Sequence, residues 1–201
     1  MYCCFQSEPT VKEVLTSRYS RDKFTLASKL HNGFFNSLED RDTVFNQQLR
    51  KTGVEYFDYY MLHGIESGSL PKYEQFDCFS WLKDKKEKGL VKTAGISFHA
   101  TAELLDEILT KYPFLEFVQL QINYLDWDSQ WIQSKACYDV AVKHGKWVTV
   151  MEPVKGGTLA KVPAEVEELF KAHDPSLSPA SWAIRFAASL HHIADEICKH
   201  N

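Results

Sequence analysis

An α/β fold built on a parallel sheet is what this sequence predicts, and two observations predict it. Short runs rich in β-branched and aromatic residues recur along the chain, at "FTLAS" (24–28), "YFDYYML" (56–62), "TAGIS" (93–97), "FVQLQIN" (117–123) and "WVTVM" (147–151). Segments with helical spacing and helix-type start and stop residues lie between them. Strands and helices alternating in this way mark right-handed βαβ units, whose consecutive strands run parallel. Periodicity leaves two architectures open, a (β/α)8 barrel and an open doubly wound sheet. Neither G-x-G-x-x-G nor G-x-x-x-x-G-K-[ST] occurs in the loops, so the usual support for a dinucleotide or P-loop sheet is missing.

The helices follow in order. "SLEDRDTVFNQQLRKTG" opens on Ser37 with Asp40 three residues on, close to a capping box, and ends on Gly53, a plausible left-handed terminator. "DCFSWLKDKKEKG" closes on Gly89, "TAELLDEILTKY" starts on Thr101 and stops before Pro113, and "DSQWIQSKACYDVAVKHG" closes on Gly145. "PAEVEELFKAH" comes next. Ser178 and Pro179 then form a cap and first-turn pair for a last helix. Leu190, Ala194, Ile197 and Cys198 share helical spacing and are expected to prolong it. No linker or low-complexity tract interrupts the series.

With 201 residues, 44% hydrophobic and 25% charged, the chain is expected to form a single domain over 1–201 around one substantial core. Net charge is -4 and the basic residues are scattered, so no stripe is present to neutralise nucleic-acid phosphates. Nucleic acid is not an expected partner. No apolar run approaches the roughly 18–20 residues of a membrane span, and "MYCCFQSEPT" lacks the layout of a signal peptide. A cytoplasmic protein without membrane association is expected. The cysteines Cys3, Cys4, Cys78, Cys137 and Cys198 are odd in number and show no CxxC spacing, so neither a zinc site nor a disulfide framework is signalled, and free thiols are expected.

In parallel α/β folds the loops at the C-terminal strand ends carry the ligand. At or just past those expected ends stand Lys29, His63, Ser97, Asn123, Met151 and Glu152. Parallel neighbours lie about 4.8 Å apart, which brings Lys29 and His63 to one mouth. Singly, each has a bland explanation: a strand-end lysine is usually a solvated charge, a lone histidine usually a satisfied core or surface residue. Ser97 equally suits a helix cap, and "MEPVKGG" equally suits a plain turn. Convergence is what carries the functional reading.

The segments in series resemble the aldo/keto reductase family. "YCCFQSE" resembles its tyrosine-containing segment, "FTLASKL" its strand with the active-site lysine, and "VEYFDYYMLHG" its Asp-bearing strand with the active-site histidine. "KGLVKTAGIS", "VQLQINYLD", "VTVMEPVKGGTLA" and "SPASWAIRFAA" continue in the same order, from about Tyr2 to Leu190. The resemblance implies a (β/α)8 TIM barrel, with about five or six of its βα units present, and NADPH- (or NADH-) dependent reduction of an aldehyde or ketone without a metal. Tyr2 would be the general acid. Lys29 would lower the tyrosine's pKa as a neighbouring cation does, and His63 would donate a hydrogen bond to the substrate carbonyl oxygen. Ser97 and Gln119 match positions that hold the nicotinamide carboxamide, while Met151, Glu152 and Val154 match the loop along the ring and pyrophosphate. Asp58 would be structural.

The sequence departs from the family in four places. No Asp-Thr/Ser-Ala strand precedes Tyr2, Phe98 and His99 follow "GIS" where the family commonly has Asn, and "HHIADEICKHN" stands where an apolar strand and a basic phosphate loop belong. "MEPVKGG" is most similar to a branch that often carries a cysteine-rich iron–sulfur segment, which these 201 residues lack. A barrel typically takes about 250 residues. The chain is therefore expected to be a truncated or split reductase whose open sheet edges favour self-association. Two other readings stand beside it: a non-catalytic reductase-derived protein that binds a nucleotide or a partner, and an unrelated flavodoxin-type open sheet in which His63 is an ordinary loop residue.

Overall fold

The structure, a computed structural model, describes residues 6–193. Among them, residues up to Phe98 together with Tyr112–Phe117 form one compact unit, and His99–Lys111 with the residues from Val118 onward form a second. No described helix is long and apolar enough to cross a membrane.

The first unit contains α1 (Ser7–Val11), β1 (Ala27–His31), α2 (Leu38–Thr52), β2 (Phe57–Ile65), α3 (Leu70–Gln75), α4 (Cys78–Glu87) and β3 (Val91–Phe98). The strands lie side by side in the order β1, β2, β3 and run parallel, with Lys29 opposite Met61, His31 opposite His63, and Met61 opposite Gly95. Side chains alternate between faces along a strand, so Lys29, His31, Met61, His63, Gly95 and Ser97 share one face. Leu30, Tyr60, Leu62, Ala94 and Ile96 occupy the other and are fully buried. There Tyr60 packs edge-on to Phe45, with ring centroids 5.0 Å apart. Burying each such side chain stabilises by about 1.5–3 kcal/mol.

Helix α2 forms as its ends dictate. Ser37 Oγ accepts the Asp40 N–H at 3.0 Å, and Gly53 closes the helix at φ 71 with its N–H on Leu49 O. Buried Gln48 then ties the helix to the sheet: its Nε2 donates to Lys29 O at 2.9 Å and its Oε1 accepts the Tyr60 hydroxyl at 2.6 Å.

Strand β1 starts three residues later than its β-rich run predicts. The Arg21 guanidinium stacks 4.0 Å over the Tyr56 ring, donates to Phe24 O at 2.8 Å and pairs with the Asp58 carboxylate. Asp58 also accepts the Leu26 N–H at 2.7 Å. Residues 24–26 are thus held by side chains together with Leu26 O, which accepts the Asp58 and Tyr59 N–H at 3.0 and 3.2 Å, before the paired strand begins. Lys29 consequently sits within β1 rather than past its end, His63 likewise lies within β2, which runs on to Ile65, and His31 is the residue level with His63.

The returning segment 112–117 docks on β3. Glu116 N–H donates to Ala94 O at 2.8 Å, and its carboxylate accepts the Ala94 N–H at 2.9 Å. This lays Phe117 over Gly95, where a Cβ would fall 2.5 Å from the ring and 2.5 Å from the Phe117 carbonyl oxygen. Phe117 stands perpendicular to Tyr59 at 5.5 Å and clusters with Met61.

The second unit holds α5 (Ala102–Lys111), most of β4 (Phe117–Gln121), α6 (Ser134–Lys143), β5 (Trp147–Met151), α7 (Ala164–His173) and α8 (Pro179–Ala188). β4 and β5 are hydrogen-bonded neighbours. Helices α5 and α6 are joined where Lys143 Nζ and His144 Nε2 meet Asp106 at 2.9 and 2.6 Å. Two expectations are corrected here. Helix α6 opens at Ser134, not Asp128, because Asp126 N–H bonds to Asn123 Oδ1 at 2.9 Å and Gln133 turns left-handed at φ 56. Nor does the last helix run on: Ser189 Oγ folds back to Phe186 O at 2.8 Å, Val148 N–H donates to His192 O at 2.8 Å, and Ile193 forms a parallel bridge with Val148. Ala194, Ile197 and Cys198 lie outside the described residues.

Candidate functional site

In the first unit, Lys29 and His63 line one cavity of about 210 Å³ together with Ser7, Glu8, Gln48 and Thr52. The register explains the meeting, since Lys29 and His63 share a sheet face two residues apart along the ladder. Burial pushes the Lys29 ammonium below its ordinary pKa, because a desolvated cation is disfavoured. The His63 backbone is fixed from behind. Fully buried Tyr73 of α3 shares its one hydroxyl proton between His63 O at 2.6 Å and Leu30 O at 3.0 Å, touching both strands. Burial holds that phenol protonated, raising its pKa.

Sequence reading did not single out Glu8 as a cavity residue, nor Tyr73, nor His31. His31 faces His63 with ring centroids 5.1 Å apart at 68°, and its Nδ1 accepts the Gly33 N–H at 2.9 Å. That bond assigns the neutral proton to Nε2. Its signal was present as period two, since position 31 follows Lys29 on the same face. Ser97 is the last residue but one of β3 and is fully enclosed, 0% exposed. Tyr2 lies outside the described residues.

In the second unit, Gln119 is half-buried in β4, Met151 ends β5, and Glu152 and Val154 follow in the turn. Glu152 adopts φ 59 and Lys155 φ 50. Both are left-handed, unusual for residues with a Cβ. Fully buried Asn123 donates to Glu152 O at 3.3 Å and to Asp126 Oδ2 at 3.0 Å. The Asp126 carboxylate takes the Lys155 ammonium on both oxygens at 2.7 and 2.6 Å and the Gln121 amide at 2.9 Å. Burial alone would raise the Asp126 pKa; the bonds from Lys155, Asn123 and Gln121 outweigh it and hold the carboxyl below its usual range. "NYLD" and "VKGG" carried no sign of this pairing across 29 residues.

Within the second unit, the residue types around the turn after β5 are compatible with part of a nicotinamide dinucleotide. The half-buried Gln119 amide of the same unit can both give and accept a hydrogen bond, as a carboxamide requires. The Met151 thioether is a soft surface for a flat ring, while the Lys155 charge of the same turn is taken up by Asp126. Buried Cys78 and Cys137 are free, but burial pushes their thiols up to about 11 and about 12, far from nucleophilic. Among the described residues, no group of three or more His, Cys, Asp and Glu side chains could hold a metal ion.

The fold is shared with solved reductases. An aldo-keto reductase from Bacillus halodurans in its holo form matches with a TM-score of 0.71 at 20% identity, over 93% of this chain and 65% of that one. A Klebsiella pneumoniae aldo/keto reductase in complex with NADP and acetate matches with a TM-score of 0.69 at 14% identity, over 93% and 63%. A glycerol dehydrogenase from Gluconobacter oxydans matches with a TM-score of 0.67 at 16% identity, over 90% and 64%. The chain thus spans somewhat under two thirds of their length, and the architecture is the (β/α)8 barrel type rather than the open doubly wound sheet. No curated protein sequence matches significantly. The sequence profile of the Aldo/keto reductase family matches residues 1–200, and the chain belongs to that family.

Proposed function

We propose that this chain carries the NADPH-dependent reduction of an aldehyde or ketone to an alcohol. The observation that supports it most directly is Lys29 and His63 lining one cavity, with the lysine partly desolvated. Tyr2 is the general acid, passing its phenolic proton to the carbonyl oxygen. Lys29 acts on that proton: a poorly solvated ammonium favours the phenolate and lowers the tyrosine's pKa from about 10. His63, its backbone gripped by Tyr73, donates to the carbonyl oxygen and stabilises the charge that develops there. Ser97 and Gln119 bind the carboxamide, and Met151, Glu152 and Val154 flank the ring and pyrophosphate. When bound, the cofactor supplies a hydride.

NADPH oxidation followed with a panel of aldehydes, ketones and quinones tests this reading, with NADH as the comparison. His63→Ala is expected to lower kcat by roughly 100- to 1,000-fold, the scale of losing one donor to a developing oxyanion. An unchanged rate removes His63 from the mechanism. NADPH binding without turnover favours the non-catalytic reading, and no binding overturns both.

A further inference from the structure

We propose that Asp126 is the positioning residue of the cofactor turn, its carboxylate holding Glu152–Gly157 in shape through Lys155 and Asn123. This rests on the cofactor reading above. The turn has four left-handed positions, Glu152 at φ 59, Lys155 at φ 50, Gly156 at φ 59 and Gly157 at φ 93. Glycine adopts such angles freely, whereas glutamate and lysine have no side-chain preference for them. Their surroundings must impose the conformation.

Three contacts do so. Lys155 N–H closes on Glu152 O at 2.9 Å, Asn123 Nδ2 holds the same carbonyl at 3.3 Å, and the Lys155 ammonium is drawn onto both oxygens of Asp126. Asp126 is itself immobilised. It is 8% exposed, its N–H bonds to Asn123 Oδ1 at 2.9 Å, and Gln121 and Asn123 donate to its Oδ2. A carboxylate so enclosed needs its cation. Lys155 is therefore a strut between the end of β4 and the turn after β5, and its charge is committed to Asp126 rather than offered to a phosphate. Asn123 couples the two anchor points, since one amide touches both Asp126 and Glu152.

The roles of strut and of direct phosphate ligand separate in a double-mutant cycle. NADPH affinity is measured by fluorescence titration on the unaltered chain, Asp126→Asn, Lys155→Met and the double variant, with NADPH KM and kcat beside it. As a strut, either single change weakens NADPH binding by roughly ten-fold, the scale of one charge-assisted hydrogen bond. The double variant is then no weaker than the worse single, the loss falls on KM for NADPH rather than kcat, and Lys155→Arg retains affinity. Lys155→Met, altering the half-exposed partner, gives the same readout if Asp126→Asn fails to fold. Asp126→Asn binding NADPH as tightly as the unaltered chain, or more tightly, overturns the proposal, as do independent, multiplying effects of the two changes. Absence of NADPH binding by the unaltered chain instead overturns the cofactor reading and this one with it.

Discussion

Gly95→Ala adds one methyl group at a place where the chain has no room for it. The new Cβ would stand 2.5 Å from Cδ1 and Cε1 of Phe117 and 2.5 Å from the Phe117 carbonyl oxygen, against the roughly 3.5–4.0 Å of a comfortable contact. A ring edge can swing aside. The carbonyl cannot without disturbing the adjacent Glu116 N–H to Ala94 O bond at 2.8 Å. Overpacking costs about 1–3 kcal/mol when neighbours yield, and a backbone obstacle places this case near about 3 kcal/mol. At about 2–4 °C per kcal/mol for a chain of this size, the melting temperature falls by roughly 6–12 °C. Thermal melting by circular dichroism, checked against tryptophan fluorescence for a coincident transition, gives the shift. Phe117 also braces Tyr59 and Met61, on the face that carries Lys29, so the carbonyl reduction proposed above is expected to slow even below the melting point. An unshifted melt would refute the close approach and, with it, the register of β3 against the 112–117 segment.

Other expectations concern single groups. Tyr73→Phe removes the hydroxyl shared by His63 O and Leu30 O; losing a buried bond costs about 1–3 kcal/mol, read as a lower urea midpoint at unchanged m-value. Asp126 is held below its ordinary 3.8, so its contribution to stability is present above that pH and is lost as pH falls through the folded value. The melting difference between the unaltered chain and Asp126→Asn should therefore shrink below about pH 4, and a constant difference down to acid pH would contradict the ion pair. Lys29 is shifted down from 10.5 by burial, so below that pH the unfolded chain holds the proton better and stability rises with pH as the folded value is passed. Lys29→Met should accordingly melt no lower than the unaltered chain at neutral pH while losing turnover; a clearly lowered melt would show that the ammonium is net stabilising.

What the sequence made legible was whatever is encoded locally. The Ser37 cap and the Gly53 terminator carry their own conformational preference, and α2 lies between them. The "TAGIS" and "WVTVM" runs are strands because β-branched residues fit a buried pleat, and β3 and β5 contain them. Displaced predictions trace to side chains reaching across long separations. Residues 24–26 read as strand but are claimed by Arg21 and Asp58, the latter 32 residues from Leu26. "DSQWIQ" reads as helix, yet Ser129 Oγ accepts the Ile132 N–H at 3.3 Å and Gln133 Oε1 accepts the Ala102 N–H at 2.9 Å, 31 residues away, and the stretch is held as a turn. Helix α3 was not anticipated because six residues, with Pro71 in the first turn, are too few to show a period. The same divide runs through the candidate site. Lys29 and His63 were visible from strand position and family order, whereas Tyr73, Asp126 and Lys155 act through contacts that exist only once distant segments pack.

The Tyr73 grip divides labour within the mouth. Exposed residues 66–68 are bracketed by His63, whose carbonyl Tyr73 anchors from the far side, and by Ser69, whose hydroxyl is tied to Gly64 O at 2.7 Å. Whatever side chains that short loop displays, the strand end beneath it stays pinned from both directions. Loop sequence and histidine aim are thus decoupled, so this stretch is a place where residues can be exchanged, or a graft accepted, to change what approaches the pocket while the geometry that would act on it stays put.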